Sequence, residues 1–105
     1  MGQETFEEGN DASKNVSAVL VAAAFEDLIR RMGSEMAGVL GRPKLESVVV
    51  SLKGAQVLQG GEPGLAQSYL KFRNDSLHAH WENVQESQIQ SCISFIETLL
   101  VKHFS

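Results

Sequence analysis

The sequence predicts an all-α protein, an antiparallel four-helix bundle, on three observations. Apolar residues recur at helical spacing in four separate stretches. The breaks between those stretches, rich in glycine or marked by proline, are short enough to turn each helix back on its neighbour. The one run that suits a strand, Val48-Val49-Val50, has no second candidate to pair with, so the helical period prevails there too.

In chain order, residues 1–14 are polar and acidic, with Glu4, Glu7, Glu8 and Asp11 and only Phe6 as an anchor. They are expected to form a flexible tail or a short surface helix. Residues 15–105 read as one helical domain. Its first helix carries Val16, Val19, Leu20, Ala23, Ala24, Phe25, Leu28, Ile29 and Met32, and its first half is so apolar that both sides need cover, from the core of a monomer or from a partner subunit. Gly33 is the expected stop. After a loop at Gly38, Gly41 and Pro43, Leu45, Val48, Val49 and Leu52 fall at i, i+3, i+4 and i+7 of a second helix.

Gly60, Gly61 and Gly64 mark the next loop, with Pro63 suited to the first turn of helix three. That helix presents two ridges, Leu65, Tyr69, Phe72 and Ser76 beside Ala66, Leu70, Arg73 and Leu77, so Arg73 lies at the edge of the buried face. Asn83 with Glu86, or Ser87 with Gln90, offers a capping box for helix four. Ile89, Cys92, Ile93, Ile96, Leu99 and Leu100 form its stripe, and Lys102 and His103 suit the negative end of its dipole.

A chain of 105 residues is one domain that buries roughly two thirds of its unfolded surface. A net charge of −4 argues against a broad nonspecific grip on nucleic acid, so any RNA contact must be local. The single Cys92 makes no internal disulfide, and no apolar run approaches membrane-spanning length. The protein is therefore expected to be cytoplasmic, with no membrane association and no cofactor.

The reactive groups concentrate in Lys71-Phe72-Arg73-Asn74-Asp75-Ser76-Leu77-His78-Ala79-His80-Trp81, about three helical turns holding an arginine, an amide, two imidazoles and the only tryptophan. Asn74 and His78, four apart, share one ridge of a helix, and the long Arg73 side chain is expected to reach the same anion. Arginine, amide and imidazole together suit a phosphate: a bidentate clamp, a neutral donor and a group that moves protons near neutral pH. Lys71, His80 and Trp81 are the neighbouring candidates for binding. Lys71, Arg73, Arg42 and Lys44 are the candidates for a basic cleft.

Arg73-Asn74-Asp75-Ser76-Leu77-His78, an arginine and a histidine with four residues between them, resembles the signature of HEPN domains. The order of the helices is similar as well: Ala22-Ala23-Ala24-Phe25-Glu26-Asp27-Leu28 with basic residues following, a middle helix, the motif with a nearby Trp81, then a final amphipathic helix. The resemblance runs from about Asn15 to the end and implies a HEPN-like helical bundle. It also implies a homodimer whose two motifs meet in a cleft that cuts RNA without a metal, as in toxin–antitoxin and defence systems. On this chain it assigns Arg73 to stabilising the pentacoordinate phosphate, His78 to proton transfer and Asn74 to positioning; an antitoxin or regulatory protein is an implied partner.

Two other readings stand beside this one. The chain also reads as a catalytically inactive HEPN-like module that binds nucleotide, RNA or a partner protein, or as a purely structural helical dimer in which Arg73 pairs with Asp75 or Glu82 and Trp81 plugs the core. A metal site at His78 and His80 with Cys92 or His103 is disfavoured, because residues two apart on a helix point to different sides.

Overall fold

A computed structural model describes the backbone of residues 2–104 and the side chains of residues 12–104. It is all-helical, with α1 at Gly2–Met36, α2 at Leu45–Gly54, α3 at Glu62–Leu77 and α4 at Glu86–Phe104, and a single 3-10 turn at Trp81–Asn83 between the last two. No strand occurs among the described residues, and none of their helices is long and apolar enough to cross a membrane. The residues expected as a tail are, from Gly2 onward, the leading turns of α1.

Helix α1 is the element on which the others pack. Its buried line is Ala18, Ala22, Phe25, Ile29 and Met32, spaced four, three, four and three residues apart. Arg73 of α3 meets Glu26 of α1, and Trp81, beyond the end of α3, lies beside Val16 and Val19. Lys14 donates to the carbonyl of Val84, just before α4, and the ring of Phe25 packs on that of Phe95 further along. Short α2 lies against the C-terminal part of α1.

That last contact corrects the reading of Gly33. The helix continues past it to Met36, and a Cβ at Gly33 would stand 2.5 Å from Cγ1 of Val48. The glycine is there for close helix packing, and the turn that ends α1 comes later, at Gly38, whose φ is 66°. Helix α2 buries Leu45, Val48, Val49 and Leu52, the stripe its sequence announces.

Helix α4 differs in detail. Gln85, whose carbonyl accepts the first turn's bonds and whose N–H donates to Oε1 of Gln88 at 2.7 Å, caps it in place of the expected Asn83 or Ser87. Its buried side chains are Ile89, Cys92, Phe95 and Leu99, while Ile93 and Ile96 are half-buried and Leu100 is exposed. Burial pushes the Cys92 thiol up to about 12, leaving it a structural group in the core.

The end of α3 shapes the region of interest. The N–H of His80 donates to the carbonyl of Asp75 at 2.8 Å and that of Ala79 to Ser76 at 3.4 Å, the paired bonds of a Schellman turn. Ala79 holds the left-handed position of that turn at φ 59°. An L-residue with a Cβ pays about 1–2 kcal/mol there, so Ala79→Gly should raise stability by about 1 kcal/mol after its own entropic penalty. A thermal melt should show Tm higher by about 4–8 °C; an unchanged or lower Tm would mean that the strain is absent.

Candidate active site

The motif is carried by the C-terminal half of α3 and the turn after it, and the fold divides its side chains into two groups. His78 lies five positions after Arg73, about 140° around the axis. Arg73 accordingly points toward α1, and His78 points away from it.

The first group is built on Glu26. Nε and Nη2 of Arg73 both donate to Oε1 of Glu26, at 3.0 and 2.6 Å, while Nη1 donates to Oδ1 of Asn74 at 2.6 Å. The other carboxylate oxygen of Glu26 accepts from Nε of Arg30 at 2.9 Å, and Nη1 of Arg30 reaches the carbonyl of Pro43. One acid therefore holds two arginines and fastens α3 and the loop after α1 to the middle of α1. Burial pushes the Glu26 carboxyl up, but the hydrogen bonds and charges of Arg30 and Arg73 more than reverse this, so it lies below the usual range and stays ionised at neutral pH. Arg73 uses three of its five N–H donors in this way, and two remain for an incoming anion.

Next to this group a cleft of about 570 Å³ opens between α1 and the loop that follows it, with Arg30, Arg31, Arg42, Glu26 and Leu77 in its lining. Arg42 thus shares the Glu26 side of the molecule. Lys71, expected beside it in a basic cleft, is instead bound to Asp75 through Nζ at 2.9 Å.

Asp75 anchors the second group. It is buried, and it accepts from Lys71 and, at 3.4 Å, pairs Oδ1 with Nδ1 of His80. The Lys71 bond lowers its pKa, burial opposes this and the His80 bond lowers it further, leaving a net downward shift. His78 caps α3, and its N–H donates to the carbonyl of Asn74 at 3.0 Å, so helical spacing holds from one to the other. The His78 and His80 rings lie 6.1 Å apart between centroids. Asn74, His78 and His80 are all exposed.

Trp81 belongs to neither group. It lies half-buried over an apolar groove formed with Val16, Val19 and Leu20 of α1. These three α1 side chains are exposed at 60, 37 and 65%, so the described chain leaves uncovered the side of α1 that the sequence required to be covered.

The end of α3 therefore carries two sets in succession: Arg73 and Asn74 held against Glu26, then His78 one turn on from Asn74 and His80 backed by Asp75. Neither Glu26 nor Asp75 was among the candidates. Asp75 carried a signal, its position four residues after Lys71. Glu26 carried the same signal toward Arg30, four residues on, but none toward Arg73, which lies 47 residues away. The expected alternative pairings of Arg73, with Asp75 or Glu82, are not the ones made. Among the described residues no cluster of three or more His, Cys, Asp or Glu side chains is arranged to hold a metal ion. Compared with known family models, curated proteins and solved structures, the chain matches none.

Proposed function

We propose that this chain is a HEPN-like endoribonuclease that cuts RNA without a metal ion. The observation that carries the reading is the arrangement at the end of α3: a guanidinium fixed from two sides by Glu26 and Asn74, with two exposed imidazoles beginning one helical turn beyond Asn74. A fixed guanidinium with free N–H donors suits the charge that builds on a pentacoordinate phosphate. An imidazole at the same end of α3 suits proton transfer to and from ribose oxygens at neutral pH. His78 is the proton-transferring group of this reading, Asn74 sets the orientation of Arg73, and His80, Lys71 and Trp81 contact the substrate.

The same reading includes a cytoplasmic homodimer in which the two motifs face one cleft, acting as a toxin or defence component held in check by an antitoxin or regulatory protein. The uncovered Val16, Val19 and Leu20 favour a second copy there. A second reading, an inactive module that binds RNA, nucleotide or a partner protein, is favoured by the engagement of Arg73 with Glu26, which fills part of the guanidinium fork before any ligand arrives.

The test is to incubate the purified protein with single-stranded and structured RNA in EDTA and to identify the ends produced. The expected products carry a 2',3'-cyclic phosphate and a 5'-hydroxyl, the ends left by attack of the neighbouring ribose oxygen. Uncut RNA that binds saturably transfers the conclusion to the binding module, and uncut RNA that does not bind overturns both readings.

A further inference from the structure

The two imidazoles that follow Arg73 occupy different surroundings. His80 has a carboxylate behind it. Because an ionised carboxylate only accepts, the Asp75 contact places a proton on Nδ1 of His80 and leaves the Nε2 lone pair on the exposed side of the ring. The contact is long at 3.4 Å, as hydrogen bonds of acid–base groups often are before substrate tightens them. Asp75 is itself fixed, buried against the turn and bonded to Lys71, so the ring has a firm support. Among the described residues His78 has no such carboxylate. It caps the last turn of α3, where the negative end of the helix dipole suits a proton donor.

The spacing also fits a pair. In an in-line displacement the attacking and leaving oxygens stand on opposite sides of phosphorus. Two rings 6.1 Å apart between centroids can serve one oxygen each.

We propose that His80 is a second catalytic residue of this site, the base to His78's acid, with Asp75 as its positioning residue; the proposal rests on the ribonuclease reading above. Nε2 of His80 removes the proton of the ribose 2'-hydroxyl as the bond from that oxygen to phosphorus forms. The phosphorus–5'-oxygen bond breaks as His78 gives its proton to the leaving oxygen. The products are the 2',3'-cyclic phosphate and a free 5'-hydroxyl, His80 ends with the proton that His78 has lost, and exchange with water restores both. No metal, oxidant or further reactant enters the balance.

The experiment compares wild type, His78→Ala, His80→Ala, Asp75→Asn and the double variant Asp75→Asn/His80→Ala in single-turnover cleavage in EDTA. Two substrates are used: ordinary RNA, and the same RNA with sulfur in place of the bridging 5'-oxygen at the cut site. On ordinary RNA both histidine variants should fall by roughly 10²–10⁴-fold. The sulfur leaves without needing a proton, so the modified RNA should restore His78→Ala to within about tenfold of wild type and leave His80→Ala slow. Asp75→Asn should slow the wild type but add nothing to His80→Ala, whereas a merely structural role would slow both.

Cleavage of ordinary RNA by His80→Ala at the wild-type rate overturns the proposal and leaves the ribonuclease reading standing. Rescue of His80→Ala in place of His78→Ala overturns the assignment of roles. Uncut RNA with the wild type overturns proposal and reading together. Both rings are exposed, and circular dichroism of each variant separates a loss of chemistry from a loss of fold.

Discussion

Under the ribonuclease reading proposed above, replacing Arg73 by alanine is expected to reduce RNA cleavage and to remove part of the protein's stability. The side chain is only 23% exposed and Glu26 only 20%, and three hydrogen bonds tie the guanidinium to α1 and to Asn74. Their loss leaves Glu26 with Arg30 alone, a cost of about 2 kcal/mol for charge-assisted bonds at a partly buried site. Cleavage should fall by roughly 10²–10³-fold, the usual effect of removing one fixed donor to a developing oxyanion. Arg73→Lys separates the two effects. Lysine keeps the charge facing Glu26 but lacks the planar fork, so stability should largely return while cleavage does not. Urea melts paired with single-turnover rates would read both, and full cleavage by Arg73→Ala with only stability lost would make the residue a structural ion pair.

The largest loss of stability is expected from Phe25→Ala, at about 3–5 kcal/mol. Phe25 is fully buried, and its ring lies 6.0 Å from Tyr69 and 6.5 Å from Phe95, themselves 5.3 Å apart between centroids. This triad is where α1, α3 and α4 meet. Alanine there would remove the ring that joins the two outer helices to the central one and leave a cavity that neither partner can fill without moving its backbone. Chemical denaturation should show a lowered midpoint with the change in m kept small. A cost below about 1 kcal/mol would show that the three helices are held mainly elsewhere.

How much of this was legible in the sequence differed from helix to helix. Helix α2 was fully readable, because Leu45, Val48, Val49 and Leu52 are apolar against polar neighbours and the buried set is that same stripe. Helix α1 was harder. Alanine and valine occur all around its first half, so periodicity could not separate Ala18 and Ala22, which are buried, from Val16 and Leu20, which are not. Its leading turns have no apolar stripe to reveal them. Phe95 was missed in α4, although it completes the aromatic triad, because Ile93 and Ile96 compete for the same stripe.

At the site, the motif residues could be named from their order, and their division between two sides of α3 follows from helix geometry. Arg73 donates directly to Asn74, its neighbour in the chain. The partners that define their roles were not legible. Glu26 reaches Arg73 across 47 residues, a pairing that depends on how α3 lies on α1. The link from Asp75 to His80 depends on the Schellman turn at Ala79, a left-handed position usually given to glycine, which folds the chain back so that His80 faces the helix it has just left.

The measurement that bears most directly on the central claim is single-turnover cleavage of RNA in EDTA by the wild type and His78→Ala side by side, in nuclease-free preparations whose fold and oligomeric state are checked together. The account predicts cutting by the wild type and a loss of roughly 10²–10⁴-fold in the variant with its helical spectrum unchanged. Equal cutting by both proteins would contradict it.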